Sequence, residues 1–316
     1  MGVQALEHCN AGKYQLNSFM KYFKRYHPLY VLLLPALIYI IIFAYVPMYG
    51  IQIAFKDYRA SFGIWGSEWV GLTHFVTFLK SPNFVQLIRN TLALSIYSLI
   101  AGFPVPIILA FMINEIQSPK FKKTVQMITY TPHFISTVAI VGLIGLFLKR
   151  ETGLLNILFT NLGMQGKDFM ADPGSFRTIY VLSGIWQNAG WGTVIYISAL
   201  CGVDPEIIDA AKVDGASRLQ KIFYIDFPTI KPTIITLLIL NVGSLMSVGF
   251  EKVLLMQNSL NMETADVIST YTYRLGILGG QFSYTTAIGL FNSVINAILL
   301  LTFNGIVKKV DGNSLW

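Results

Sequence analysis

The sequence predicts an all-α polytopic membrane protein with six transmembrane helices, and three observations carry that prediction. Hydrophobic residues make up 54% of the 316 residues, and charged residues only 12%. Soluble domains use roughly a quarter charged residues. Mean hydropathy is correspondingly high, at +0.57. The charges are also clustered, leaving residues 29–55, 90–114, 124–148, 178–203, 232–250 and 275–307 free of Asp, Glu, Lys and Arg. A membrane helix needs roughly 20 apolar residues, and each stretch is of that order. Length alone would allow one or two soluble domains, but composition overrides it.

Spans are therefore expected at about 29–52, 90–113, 124–148, 178–201, 232–251 and 284–307. Together they form a membrane domain over 29–308, between an N-terminal tail (1–28) and a C-terminal tail (309–316). The first apolar run is longer than the hydrophobic region of a secretory signal and reads as an uncleaved span. Pro35, Pro47, Pro104, Pro106 and Pro132 fall within spans. Proline there frees backbone groups that neighbours must satisfy, which fits either kinked helices around a cavity or ordinary bundle packing.

Basic residues set the orientation. Lys13, Lys21, Lys24 and Arg25 precede the first span, and Lys120, Lys122 and Lys123 follow the second. Lys212, Arg218, Lys221 and Lys231 lie between the fourth and fifth spans, and Lys308 and Lys309 follow the sixth. More than half of the 23 basic residues thus sit on one side, which the positive-inside rule assigns to the cytoplasm, with both termini. The same bias accounts for the net charge of +7 without nucleic acid, since no basic stripe on a soluble domain accompanies it. Segments 56–89, 149–177 and 251–274 fall outside and are long enough for short surface helices. Their aromatics, Trp65 and Trp69 among them, suit an interfacial belt or a docking surface.

The loop 204–228 is unlike a simple connector. Asp204-Pro205-Glu206 is a helix start: an Asp cap, Pro at the first position and an acid in the first turn. That helix is expected to run to about Asp214, with Gly215 supplying the positive φ of a C-terminal cap. Ser217 caps a second helix, expected to reach about Asp226 and stop before Pro228. Ile207, Ala210 and Ala211 share a face of the first helix, and Leu219, Ile222 and Phe223 a face of the second. An amphipathic hairpin on the membrane surface would show the same pattern.

Asp209-Ala-Ala-Lys-Val-Asp-Gly215, followed by Ile225-Asp-Phe-Pro228, resembles the EAA signature of binding-protein-dependent ABC importer permeases. That pattern is roughly Glu-Ala-Ala, Gly four residues on, then Ile-x-Leu-Pro; here Asp209 replaces the Glu and Phe227 the Leu. The resemblance covers nearly the whole chain. Trp69-Val-Gly-Leu-Thr-His-Phe75, Asn90-Thr-Leu92, Gly184-Ile-Trp-Gln-Asn-Ala-Gly-Trp191, Val248-Gly-Phe-Glu251 and Ser314-Leu-Trp316 look like the oligosaccharide-importer branch. The last three are more similar to permeases of complex-polysaccharide uptake than to the maltose type.

The resemblance implies a type I ABC importer permease fold in a bacterial inner membrane. It implies a second homologous permease as partner, two ATPase subunits that carry the ATP and Mg, and an extracytoplasmic substrate-binding protein. It makes 204–228 the ATPase-coupling element, with Glu206, Asp209, Ala210, Ala211, Asp214, Gly215, Phe223 and Pro228 as its residues. Consistent with that, the chain has no GxxxxGK[ST] phosphate loop. No HExxH or His/Cys cluster occurs among His8, His27, His74 and His133, and Cys9 and Cys201 form no framework. Neither catalysis nor a metal site is expected.

For the substrate pathway, Trp186, Gln187, Asn188, Trp191 and Tyr196 combine amides and aromatic faces, a mixture that suits sugars. Asn241 and Ser244, with Ser247 on the same face, Glu251 beside Lys252, and Asn292 with Asn296 one turn on, are further candidates. Interhelical hydrogen bonding would use the same residues. A slight basic excess in the outer segments leans toward acidic sugars such as uronides. The alternatives are an ABC permease for a non-sugar solute or a stand-alone secondary transporter. The latter would call for inverted repeats or ionisable residues deep in spans, neither of which is evident.

Overall fold

The computed structural model describes residues 25–312, 314 and 315. The tail residues Lys13, Lys21 and Lys24, with His8, Cys9 and Trp316, lie outside them. The described residues are mostly helical, and the one sheet among them is a two-residue antiparallel pairing of Lys56 with Trp69 and Asp57 with Glu68.

Helix α1 (Arg25–Phe55) is long and apolar enough to cross a membrane. Residues 25–49 are exposed along their length, and packing begins only near Ala54, against the last helix. After the short helix α2 (Thr73–Leu79) comes α3 (Phe84–Asn114), which runs through Pro104 and Pro106. Next are α4 (Pro119–Phe134) and α5 (Thr137–Leu148), then α6 (Leu154–Asn161) and α7 (Pro173–Leu200). Helix α8 (Pro205–Val213) precedes α9 (Arg218–Gly243). Short helices, among them α10 (Phe250–Met256) and α11 (Ile268–Tyr273), lead to α12 (Phe282–Asp311). Helices α1, α3, α9 and α12 are each long and apolar enough to span, and the pair α4–α5 makes a fifth if taken as one bent span. Helix α7 has 28 residues, about 42 Å at 1.5 Å per residue. Its length fits a sixth, although Gln187, Asn188 and several glycines dilute its hydropathy.

Two expectations about continuous helices are corrected. The stretch 124–148 is not one helix: α4 and α5 meet at 96°. Pro132 offers no N–H, residues Thr131–Phe134 tighten into a 3₁₀ turn, and Ile135 and Ser136 are extended. Ser136 then starts α5, its hydroxyl accepting from Ala139 N–H at 3.3 Å. Conversely, the helix begun by Ser217 does not stop before Pro228 but continues to Gly243. A π-helical turn over Ile222–Asp226 makes this possible, with Phe227 N–H bonding back five residues to the Ile222 carbonyl. Thr229 Oγ1 donates to the Ile225 carbonyl at 2.7 Å, close to where Pro228 cannot donate. The helix ends at Gly243, so residues 244–249 of the expected fifth span are irregular.

The core sits around α7, which packs along the second half of α3. Gly190 permits the closest approach: a Cβ there would lie 1.9 Å from the Thr129 carbonyl oxygen of α4. One apolar cluster joins Leu94, Phe176, Val253 and Val267, and a second joins Phe78, Leu87, Tyr271 and Ile288. Asp172 caps α7, its carboxylate accepting from Ser175 N–H at 2.7 Å. The Lys167 ammonium beside it, 2.8 Å away, and the Ser175 hydroxyl hold that carboxyl well below the usual range, at about 2.

Candidate functional site

Two features stand out, one at each functional element expected from the sequence. The first is 204–228. Asp204 accepts from Glu206 N–H at 2.9 Å to open α8, and Lys212 N–H–bearing ammonium meets Asp209 at 2.8 Å in its last turns. Gly215 has φ +75°. Around it, Asp214, Gly215 and Ala216 N–H groups close on the carbonyls of Ala210, Lys212 and Ala211. Ser217 and Gln220 form a reciprocal capping box that starts α9. Helix α8 has no buried residue. Glu206, Asp209, Ala210, Asp214, Gly215, Phe223 and Pro228 are exposed, and Ala211 is half-buried. Ile207, Val213, Leu219 and Tyr224 add a broad apolar surface, Val213 being 88% exposed.

An ion cluster, half-buried at Lys221 and Glu115 and buried at Asp226, anchors this element. Lys221 bonds Glu115 at the end of α3 and lies 3.5 Å from Asp226, whose side chain is 1% exposed. The cluster was not anticipated from the sequence, because nothing local brings Glu115 to Lys221.

The second feature is a cavity of about 500 Å³ between α3, α7 and α9. Of the expected pathway residues, Asn188 and Tyr196 line it from α7, and Asn241 and Ser244 from α9 and the irregular segment after it. Ser247 joins them although the helix has ended, so the polar face outlasts the helix. Ser95 and Ser98 of α3, Tyr180 and Gly184 were missed. Small, uncharged residues on a helix carry no signal until the opposite walls are known.

The other candidates do different work. Gln187 is buried, its Nε2 donating to the Ile135 carbonyl at 3.3 Å, which satisfies the extended break between α4 and α5. Trp191 stacks on His133 with centroids 4.9 Å apart, and His133 Nδ1 lies 3.0 Å from Asn188 Oδ1. These α7 residues therefore brace the break, and Asn188 serves it as well as the cavity. Trp186 and Glu251 are exposed away from the cavity. Asn292 and Asn296 reach the other irregular segment: Asn292 Nδ2 donates to Met246 O and Asn296 Oδ1 accepts from Met246 N–H. Of the candidates outside the cavity, Gln187, Asn292 and Asn296 thus satisfy backbone that helix breaks set free. No group of three or more His, Cys, Asp or Glu able to hold a metal occurs among the described residues.

The family model described as "Binding-protein-dependent transport system inner membrane component" matches residues 102–312. Protein LplB of Bacillus subtilis (strain 168) is 44% identical over 299 residues, which is 95% of this chain and 94% of that protein. The polygalacturonan/rhamnogalacturonan transport system permease protein YteP of the same organism is 45% identical over 288 residues, covering 91% and 90%. A chain in the crystal structure of a bacterial ABC transporter involved in the import of the acidic polysaccharide alginate superposes with a TM-score of 0.84 at 42% identity. That superposition covers 93% of this chain and 99% of the other. A crystal structure of a bacterial alginate ABC transporter in complex with alginate pentasaccharide-bound periplasmic protein matches equally well.

Proposed function

Because this chain belongs to the family of binding-protein-dependent transport system inner membrane components, it is a transport permease, and we propose that it imports an acidic oligosaccharide by coupling to separate ATPase subunits. It is the permease subunit of an oligosaccharide ABC importer. The cargo reading is supported by relatives whose names and structures concern polygalacturonan, rhamnogalacturonan and alginate, all rich in carboxylates.

One observation carries the coupling assignment. Helix α8 exposes its apolar residues, yet its neighbour α9 is continuous with a membrane-length helix. A surface of that kind is held ready for a partner, and whatever grips it also grips α9. In this reading the cleft of an ATPase subunit receives Glu206, Asp209, Ala210, Ala211 and Asp214. ATP and Mg bind on that subunit, and its closure moves the element as a rigid body between two packed states. Gly215 fixes the bend, Phe223 lies against the partner, and Pro228 belongs to the junction rather than to a helix end. The exposed apolar length of α1 suits lipid and a second homologous permease. An extracytoplasmic binding protein delivers the sugar to the other side of the membrane, and both chain termini lie in the cytoplasm.

The pathway is the cavity, where Asn188, Asn241 and the serines offer hydrogen bonds to sugar hydroxyls and Tyr196 a face for C–H groups. The test is to purify the complex with its partner subunits and measure ATP hydrolysis stimulated by uronate and by neutral oligosaccharides on the binding protein. Stimulation by uronates is expected. Transport by this chain with no ATPase present would overturn the coupling assignment, and stimulation by neutral sugars alone would overturn the cargo.

A further inference from the structure

The cavity lining contains no Asp, Glu, Lys, Arg or His. A cation nevertheless stands directly behind it. Lys252, in the first turn of α10, is only 8% exposed. Its Nζ donates to the Tyr180 carbonyl at 3.1 Å and lies 5.0 Å from the centroid of the Tyr180 ring. Tyr180 and Gly184, one turn apart on α7, both line the cavity. Gly184 has no side chain to intervene: a Cβ there would sit 3.5 Å from the Lys252 ammonium.

No ion pair among the described residues includes Lys252. Its sequence neighbour Glu251 is exposed. An ammonium has three donors and no acceptor. A carbonyl and an aromatic face soften its burial without neutralising it. Burying a cation without a counter-ion is costly, and in membrane proteins such groups mark substrate paths. Here the counter-ion site opens toward a cavity large enough for sugar units.

We propose that Lys252 is a specificity-determining residue of the pathway, drawing the carboxylate of a uronate unit to the gap at Gly184 as the oligosaccharide crosses the cavity. The proposal rests on the acidic-cargo reading above. Hydroxyls are handled by Asn188, Asn241, Ser244 and the serines of α3, so charge discrimination falls to a single buried cation. Its shared carbonyl and ring contacts keep the attraction moderate, which lets the cargo leave.

The test is uptake of a uronate pentasaccharide, delivered on the binding protein, into proteoliposomes that hold the complete complex. Lys252→Met should lower uptake about tenfold, the order expected for losing one charge-assisted bond. Lys252→Arg should retain most of it, because charge rather than shape is at stake. Gly184→Ala, with Lys252 intact, should move uptake in the same direction as Lys252→Met, and it decides the matter if Lys252→Met does not assemble. Undiminished uptake by Lys252→Met or, failing its assembly, by Gly184→Ala overturns the inference while leaving the cargo reading intact. Equal losses in the Met and Arg variants overturn it too, assigning Lys252 to packing. A wild-type complex that imports only uncharged oligosaccharides overturns both.

Discussion

The segments 204–228 and 250–274 are of similar size and each opens with a short helix, α8 and α10, yet they are held in opposite ways. In 204–228 the hydrogen bonds outside the regular helices are mostly local: the Asp204 cap, the Gly215 turn and the Ser217–Gln220 box. Its apolar residues are largely exposed. In 250–274 the bonds reach across the fold. Asn261, fully buried, donates to the carbonyls of Met170 at 2.9 Å and Met256 at 3.0 Å. Asn90 of α3 donates to the carbonyls of Glu263 and Asp266, and Thr91 accepts from Ile268 N–H. The proposed coupling segment carries its own scaffold, whereas 250–274, which stands behind the cavity at Lys252, borrows its scaffold from the bundle.

The comparison makes mutations in the two segments separable, with the largest effect expected at the bend. Gly215→Pro forces φ from +75° to about −65° and removes the N–H bonded to Lys212. Cargo-stimulated ATP hydrolysis should be abolished, while the thermal unfolding midpoint of the purified chain falls by no more than about 4 °C. A large fall in that midpoint would break the contrast.

Lys221→Met tests the anchor between the element and α3. It strands Glu115 and the buried Asp226 without their shared cation, for a loss of about 3–5 kcal/mol in denaturant unfolding. Adding Asp226→Asn should restore part of the loss. Next comes Asn261→Ala, which removes the side chain from three hydrogen bonds and should cost about 2–3 kcal/mol of stability. The complexes that do fold should keep coupled hydrolysis per molecule. Ser217→Ala, read by the same unfolding measurement, should cost about 1 kcal/mol through loss of the α9 cap.

The remaining effect is pH dependence at Asp172, confined to acid conditions. Its carboxyl, ordinarily near 3.8, is lowered to about 2 in the fold. The stability it contributes is therefore complete above about pH 4 and is lost as pH falls toward 2. Asp172→Asn should flatten that part of an acid-unfolding curve, and an unchanged curve would remove Asp172 from the account.

The local devices of 204–228 could be read in the sequence because each rests on residues within three or four positions: Asp204 with Glu206, Ser217 with Gln220, Gly215 alone. The breaks could not. Pro132 and Pro228 offer the same chemistry, yet one ends a helix and the other is absorbed by a π turn. What separates them is tertiary: Gln187 and Asn188 wait across from the first, while helix geometry upstream of the second widens to accommodate it. The cavity was half legible for a similar reason. Asn241 and Ser244 announce a polar face on their own helix, whereas Ser95, Ser98 and Gly184 acquire meaning only when α3 and α7 meet. Asn292 looked like a lining residue because an amide in an apolar run has the same sequence signal whether it meets solvent or a broken backbone.

The π turn at Ile222–Asp226 has a consequence for angular phase. From Arg218 to Gly243 the chain is one shaft of 26 residues, about 39 Å long at 1.5 Å per residue. Adding or removing one residue between Phe223 and Asn241 would rotate Asn241 by about 100° relative to Leu219 and Phe223. A π turn is one residue inserted into an α-helix, so this shaft already contains one such rotation. The turn thus sets the azimuth at which the cavity face stands when the exposed end is seated, as a keyed coupling sets the timing between a camshaft and its drive.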